Sequence, residues 1–379
     1  MKVALVHDYL SQDGGAERVL KALHEIYPSA PIFVLFYDKQ KTPAYFLAQD
    51  LHYTFLQFMP LGVSHYRWYL ALMPFATERH DLSEFDVVIS STSAFAKGVI
   101  TSARGLHLCY CHTPTRYLWT DTHSYIEDLN YNRLVKIILP PLISRLRSWD
   151  QMSAQRVDHF IANSENVRQR IQKYYRREAE VIYPPVDTDL FKVAESLDDH
   201  YLAGGRLVPY KRFDLVVKVF NRLGWPLKIF GSGPEEEKLK IIAKKNIEFL
   251  GPVDDVKKAE LYSRALAFIH PQAEDFGITA VESMASGRPV IALANGGALE
   301  TVVEGATGRF FREPSWEDLL DTLLRFDPIE FDPIKIREHA LQFSADNFKK
   351  KIIEQVAGRY EDFQKGWREM PLNLYANRY

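Results

Sequence analysis

The sequence predicts an α/β fold arranged as two domains. Its 379 residues exceed one ordinary domain and are enough for two, each with its own core. Short apolar runs alternate with longer amphipathic stretches, a pattern typical of parallel strands connected by helices. The same alternation occurs in both halves of the chain. We therefore expect the parallel α/β architecture twice.

The composition excludes several classes of protein. Hydrophobic residues make up 46% of the chain and charged residues 25%, which excludes disorder, collagen and coiled coil as descriptions of the whole chain. The net charge of −2 lacks the positive excess expected of a nucleic-acid-binding protein. The two cysteines cannot form a disulfide framework and fit a reducing compartment. Aromatic residues reach 13% and are concentrated in the first half.

The predicted strands are short apolar runs separated by helical patterns. In the first half they are residues 3–6, 32–36, 87–90, 108–111 and 160–162. In the second half they are residues 227–230, 247–250, 267–269, 290–292 and 308–311. Helices are predicted between the second set, near residues 212–223, 234–245, 255–264, 279–286 and 315–325.

The predicted domain boundary lies at Pro184-Pro185, where two prolines end a strand and a polar, acidic segment follows. We predict an N-terminal domain over residues 1–185 and a linker over 186–200. A C-terminal domain follows over 201–345, and a helix within 346–379 is expected to cross back to the first domain.

The N-terminus favours a cytoplasmic location. Asp8 comes too early for the apolar part of a secretory signal, and no stretch reaches the roughly 18 apolar residues of a membrane span. Residues 55–76 and 134–149 combine aromatic, apolar and basic side chains. Such segments either pack on the first sheet, which we favour because apolar helical stripes are usually core, or contact the inner membrane surface peripherally.

One short segment combines several features suited to a phosphorylated sugar. Glu274 lies on a predicted loop, and a helix begins near Thr279 after Gly277. Free N–H groups at a helix start bind anions, and a glycine lets the backbone approach a ligand closely. Glu282 supplies a second carboxylate one turn into that helix, and carboxylates accept hydrogen bonds from sugar hydroxyl groups.

These residues resemble the E-x7-E motif of the retaining glycosyltransferases of family 4, because seven residues separate Glu274 from Glu282. Residues 287–291 and 295–297 are also similar to the family. Arg206 and Lys211 resemble the two cationic residues with which the family binds the donor. His112 resembles the family's histidine that faces the donor. Residues 14–15 resemble the family's glycine loop. The resemblance spans most of residues 1–315 and implies the GT-B fold, two Rossmann-like domains facing across a cleft.

The resemblance implies a metal-independent, retaining hexosyltransferase of polysaccharide biosynthesis that uses no cofactor. The donor would be a nucleotide-diphospho-sugar, with UDP-glucose favoured and GDP-mannose next. The acceptor would be a hydroxyl group of a saccharide or a lipid-linked saccharide.

The resemblance also implies roles for individual residues. Arg206 and Lys211 would neutralise the departing diphosphate, and Glu274 would contact sugar hydroxyl groups. His112 would donate a hydrogen bond to the sugar. The other implied donor-binding residues are Gly14, Gly15, Gly251, Val253, Phe276, Gly277, Ile278, Thr279 and Glu282, of which Glu282 would hold the ribose. Lys97 and Arg116 are further candidates for the wall of the cleft.

Two alternatives from other functional classes stay open. A nicotinamide-dependent oxidoreductase requires a Gly-x-Gly-x-x-Gly turn and an acidic residue about 20 positions later, and Glu236 replaces the third glycine after Gly231 and Gly233. A non-catalytic nucleotide-sugar-binding protein would most simply lack one of the four residues Arg206, Lys211, Glu274 and Glu282, all of which are present.

Two short motifs suggest metal sites that we do not favour. The triplet Asp187-Thr188-Asp189 follows the two prolines in the predicted linker. Cys109 and Cys111 lie on one face of a strand and fit buried small side chains better than zinc ligands.

Overall fold

The computed structural model describes residues 1–120, 122 and 133–368. The chain divides into two compact units: Met1–Ile182 with the C-terminal segment from Lys349, and Tyr183–Phe348. Each unit contains one sheet whose strand pairs are all parallel, so the predicted α/β class is confirmed. The last part of the predicted C-terminal helix, residues 369–379, lies outside the described residues.

The first unit is built on a sheet that has seven strands in the described residues. They are β1 Val3–His7, β2 Ile32–Val34, β3 Leu51–Tyr53, β4 Val87–Thr92, β5 Leu106–Cys111, β6 His159–Ala162 and β7 Ala179–Val181. The spatial order is β3-β2-β1-β4-β5-β6-β7. The chain reverses its direction of travel between β1 and β4, and ligands of open α/β sheets bind at such a point.

Helices surround this sheet. They are α1 Gly15–Ile26, α2 Ala44–Leu47, α3 Met73–Glu78, α4 Arg116–Trp119, α5 Arg133–Ala154 and α6 Glu165–Tyr175, with 3-10 turns at Phe55–Phe58, Tyr66–Leu72 and Ala96–Gly98. No helix in the part of the chain that the structure describes combines the length and apolarity that crossing a membrane requires.

The second unit has six strands in the described residues. They are β8 Tyr201–Gly204, β9 Leu227–Phe230, β10 Ile247–Gly251, β11 Phe268–His270, β12 Val290–Leu293 and β13 Gly308–Phe311, in the order β10-β9-β8-β11-β12-β13. Its switch point lies between β8 and β11. Val186 and Phe191, from the segment predicted as a linker, are buried in this unit's core.

The described helices of the second unit include all five predicted ones, and two further helices lie outside the predicted ranges. The helices are α7 Phe213–Leu223, α8 Glu236–Ile242, α9 Asp255–Arg264, α10 Ile278–Ala285, α11 Ala298–Thr301, α12 Trp316–Leu324 and α13 Pro333–Leu341, with 3-10 turns at Pro209–Lys211 and Pro328–Glu330. The last described helix, α14 Ala345–Arg368, begins in this unit and continues into the C-terminal segment of the first.

Lys97 is a structural residue, and its predicted place on a cleft wall is wrong. Its side chain is almost fully buried, and Nζ donates to Asp150 Oδ1 at 2.5 Å and to the Ala94 carbonyl at 2.5 Å. Asp150 also accepts from Thr115 Oγ1 at 2.9 Å and from Trp119 Nε1 at 2.8 Å. A buried charge persists because such partners surround it.

Arg116, the other predicted wall residue, is half-buried at the start of α4. Cys109 and Cys111 are buried in one apolar cluster, as predicted.

The aromatic segment over residues 55–76 packs against the first sheet only in part. Leu56, Leu70 and Met73 are buried in an apolar cluster against the sheet, whereas Phe58 and Trp68 are exposed. Of the second segment, 134–149, the side chains of residues 134–138 lie outside the described residues, and Ile143 and Leu146 are buried.

Candidate active site

In the second unit, three neighbouring strands end at glycines with positive φ angles. Gly205 has φ +130°, Gly231 has φ +108° and Gly251 has φ +68°. A Cβ atom on Gly231 would lie 1.9 Å from the Gly205 carbonyl oxygen, so only glycine fits there. The main chain therefore forms the floor at this edge of the sheet. Gly251 and the half-buried Val253, both predicted donor-binding residues, lie there.

Lys211, which is buried, and Glu274, which is half-buried, form an ion pair at this edge. Lys211 ends the 3-10 turn after β8, and its Nζ lies 2.8 Å from Glu274 Oε1. Burial alone would raise the pKa of Glu274. The charge of Lys211, with hydrogen bonds from Lys211 and Gln272, outweighs burial and lowers that pKa to about 2. Glu274 is therefore ionised at neutral pH.

A second loop holds the main chain of Glu274 in place. The amide of Gly297 donates to the Glu274 carbonyl at 2.8 Å. Gly296 has φ +62°, and a Cβ atom there would lie 2.3 Å from the same carbonyl oxygen. Gly296 and Gly297, from the segment 295–297 that resembles the family, therefore support the loop that carries Glu274.

Several polar side chains of the segment around Glu274 have unused hydrogen-bonding atoms in the described residues. Gln272 Nε2 lies 3.2 Å from His270 Nδ1 and 3.3 Å from Glu274 Oε1. Because the amide donates to both, the His270 proton lies on Nε2, and burial lowers the pKa of His270 to about 4. Within the described residues, His270 Nε2, Gln272 Oε1 and Thr279 Oγ1 are buried without a hydrogen-bond partner. These three atoms are therefore available for hydrogen bonds with a ligand.

The helix start predicted near Thr279 lies one residue earlier. Gly277, with φ +88°, precedes α10, and a Cβ atom there would lie 3.2 Å from His270 Nε2. Ile278 and Thr279 supply main-chain N–H groups in the first turn, where negative charge is stabilised. The Phe276 side chain is buried against Tyr183, so any ligand contact of Phe276 falls to its main chain.

Glu282 is buried one turn further along α10. Lys258 Nζ lies 3.0 Å from Glu282 Oε1, and the Tyr262 hydroxyl donates to Oε2 at 3.4 Å. Lys258 also pairs with Asp255 at 2.8 Å. Both glutamates of the motif thus contact a lysine from another element. The ribose-binding role of Glu282 stays a prediction.

Arg206 lies on the exposed turn after β8. Its side chain is exposed, and it has no ion-pair partner within residues 1–120, 122 and 133–368. An exposed guanidinium five positions before Lys211 is available to an anion.

The first unit holds the remaining predicted residues. His112 directly follows β5 and is half-buried, and its Nε2 lies 2.8 Å from Ser91 Oγ. Burial lowers the pKa of His112 to about 4. Gly14 precedes α1, which begins at Gly15, and its amide donates to Glu17 Oε2 at 2.9 Å.

Sequence reasoning missed several polar residues of both units. His270, Gln272 and Lys258 surround the two motif glutamates, while His7 and Ser91 lie behind His112. The one available signal was a polar side chain at the carboxyl end of a strand, which holds for His7, Ser91 and His270.

Two family models match successive parts of the chain. Residues 13–190 match Glycosyltransferase Family 4, and residues 191–327 match Glycosyl transferases group 1. The D-inositol 3-phosphate glycosyltransferase of Mycobacterium leprae is 27% identical over 273 residues. That match covers 63% of each protein, so this chain spans less than two thirds of its relative's length.

Solved structures share the fold over nearly the whole chain. Anabaena HepE in complex with UDP-glucose has a TM-score of 0.70 at 19% identity, covering 94% of this chain and 100% of HepE. Sucrose-phosphate synthase from Thermosynechococcus elongatus has a TM-score of 0.74 at 15% identity, covering 96% of this chain and 100% of the synthase.

Proposed function

Because the chain belongs to the family 4, group 1 glycosyltransferases with the GT-B fold, we propose that it transfers a hexose from a nucleotide-diphospho-sugar with retention of configuration. The acceptor is a hydroxyl group of a saccharide or lipid-linked saccharide in polysaccharide biosynthesis. The observation that carries this proposal is the Lys211–Glu274 ion pair together with buried polar atoms that have no hydrogen-bond partner in the described residues. The UDP-glucose bound to HepE supports UDP-glucose as donor ahead of GDP-mannose.

Fixed positive charge is proposed to stabilise the leaving diphosphate. Lys211 has three N–H donors, so it can keep its contact with Glu274 and also donate to a phosphoryl oxygen. Arg206 can contact two oxygens through its forked guanidinium, and the start of α10 adds main-chain N–H groups. These groups supply the stabilisation that a metal ion gives in other transferases.

Glu274 is proposed to bind the hexose rather than to attack it. Its Oε1 accepts from Lys211 and Gln272, whereas Oε2 has no hydrogen-bond partner in the described residues. Oε2 can therefore accept from a sugar hydroxyl group, and His270 Nε2–H can donate to another.

In the proposed reaction, the bond between the anomeric carbon and the diphosphate oxygen breaks, and its electron pair leaves with the diphosphate. The acceptor oxygen bonds to the anomeric carbon on the same face. Its proton passes to a phosphate oxygen.

Nucleotide affinity tests this assignment. We expect UDP to bind more tightly than GDP, and Arg206→Ala to weaken UDP binding about tenfold, the equivalent of one charge-assisted contact. Arg325→Ala removes an exposed arginine elsewhere in the same unit and should leave affinity unchanged. Calorimetric titration measures the UDP affinity of the wild type and of the two variants. In a separate assay, the rate of hexose transfer should be equal with and without EDTA. Binding of NAD in place of UDP or GDP would refute the proposal.

The acceptor is proposed to be reached at a membrane surface. Four apolar side chains of residues 55–76 are strongly exposed: Phe58 at 77%, Trp68 at 59%, Leu61 at 56% and Phe75 at 55%. Arg79 lies over the Phe75 ring, with its guanidinium carbon 5.7 Å from the ring centroid. Exposed aromatic residues beside arginine suit the lipid headgroup region.

Vesicle binding tests this surface. We expect the protein to cosediment with vesicles containing anionic lipid, and Trp68→Ala to weaken that binding roughly tenfold, because one aromatic contact is lost. Ile329→Ala is the matched control, since Ile329 is an exposed apolar residue of the other unit. Equal sedimentation with and without vesicles would contradict membrane contact.

A further inference from the structure

A buried row of polar side chains runs across three neighbouring strands of the first unit. His7 of β1 and Ser91 of β4 are register partners, and β4 also pairs with β5, which His112 follows. Ser91 Oγ lies 3.2 Å from His7 Nδ1 and 2.8 Å from His112 Nε2. His7 and Ser91 are both buried. The hydroxyl of Ser91 therefore connects the two imidazole rings.

The proton positions in this row follow from one carbonyl group. His7 Nδ1 lies 3.0 Å from the Ser91 carbonyl oxygen, which can only accept, so Nδ1 carries a proton. The Ser91 hydroxyl then has no acceptor on His7, and the imidazole acceptor that lies within its reach is His112 Nε2 at 2.8 Å. Because Nε2 accepts, a neutral His112 carries its proton on Nδ1.

Glu17 holds His7 in this state. Its Oε1 lies 4.0 Å from His7 Nε2, and its Oε2 accepts from the Gly14 amide at 2.9 Å. Burial alone would lower the pKa of His7, but the nearby carboxylate of Glu17 raises it.

Burial would raise the pKa of Glu17, but the nearby imidazole of His7 lowers it. Each of the two side chains therefore favours the charged form of the other, while their 4.0 Å separation is too long for a direct hydrogen bond. Asp8, the nearest other acid, is occupied by main-chain N–H groups at 2.7–2.9 Å.

We propose that Ser91, oriented by His7 and Glu17, is a positioning residue that fixes the tautomer of His112 with its proton on Nδ1. Within the described residues, His112 Nδ1 has no protein partner, so this N–H is available to a ligand. The identity of that ligand as a hexose rests on the proposed function, whereas the tautomer does not. The network also connects His112 to the Gly14 loop through Glu17.

Nitrogen-15 NMR of the full chain with labelled histidine tests the tautomer directly. The His112 signals are assigned by their loss in His112→Gln. We expect a protonated Nδ1 and an unprotonated Nε2 in the wild type, and a mixture of tautomers in Ser91→Ala.

Ser90→Ala is the matched control, because the buried Ser90 hydroxyl lies 2.9 Å from His107 Nε2 on the same strand. The control should leave the His112 signals unchanged. A protonated Nε2 in the wild type, or unchanged His112 signals in Ser91→Ala, overturns the proposal.

Kinetics distinguish positioning from a loss of stability. Ser91→Ala should lower kcat at least about tenfold, the effect of losing one well-oriented hydrogen bond, at a melting temperature like that of Ser90→Ala. Equal kcat values for the two variants contradict positioning. The two proposals can fail separately. If the wild type transfers no hexose, but Ser91→Ala changes the His112 tautomer and Ser90→Ala does not, the proposed function fails and the positioning role of Ser91 stands.

Discussion

Glu274→Gln should lower kcat for hexose transfer by about a hundredfold to a thousandfold, the scale of removing one preorganised electrostatic group from an active site. The carboxylate is ionised because Lys211 lies 2.8 Å away, and its Oε2 is available to a sugar hydroxyl group. A glutamine keeps one carbonyl acceptor for Lys211 but has no charge, and its NH₂ group cannot accept. The defect should appear in kcat from steady-state transfer assays.

The same variant should still bind UDP, because the nucleotide lacks the hexose that Glu274 is proposed to contact. UDP titration of Glu274→Gln therefore shows that the second unit is folded and that its phosphate contacts are intact. Glu237→Gln removes the same charge from an exposed position of α8 and should leave kcat unchanged. A Glu274→Gln protein with full kcat would exclude Glu274 from the site.

Much of the fold could be predicted because buried parallel strands appear as continuous apolar runs. Each of the ten predicted runs overlaps an observed strand. The three missed strands lack that signal. β3 and β7 are three-residue strands at the two edges of the first sheet, with exposed or half-buried side chains. β8 is central, but it has only four residues and ends at Gly204 beside a polar segment.

The candidate site could be predicted only where local motifs carry it. Lys211 and Glu274 were identified through resemblance, and the structure brings them into contact. Lys258 contacts Glu282 across 24 positions, and such a contact leaves no trace in local spacing. Lys97 was misassigned for the same reason, because its partner Asp150 is 53 positions away. A lysine without a visible partner is expected at the surface.

Asp8→Asn should lower the stability of the first unit by about 4 kcal/mol, because main-chain N–H groups would face an amide N–H₂ group. Asp8 Oδ1 accepts from the amides of Phe95 and Ala96, both at 2.7 Å. Oδ2 accepts from the amides of Ser93 and Ala94 at 2.7 and 2.9 Å. A carboxamide has one acceptor oxygen, so two of the four N–H groups lose their contact with residue 8 in either orientation, and of these four only the Ala94 amide has a second acceptor, Thr92 Oγ1 at 3.1 Å.

Thermal unfolding measures this effect. The transition of the first unit should fall by roughly 8–15 °C, given the usual sensitivity of domains of this size. Asp13→Asn changes the same charge at an exposed position five residues later and should leave the transition in place.

An acid at the carboxyl end of the first strand could alternatively bind a substrate. In that case Asp8→Asn would lower transfer at an unchanged melting temperature, which would contradict the structural role that the four main-chain hydrogen bonds indicate.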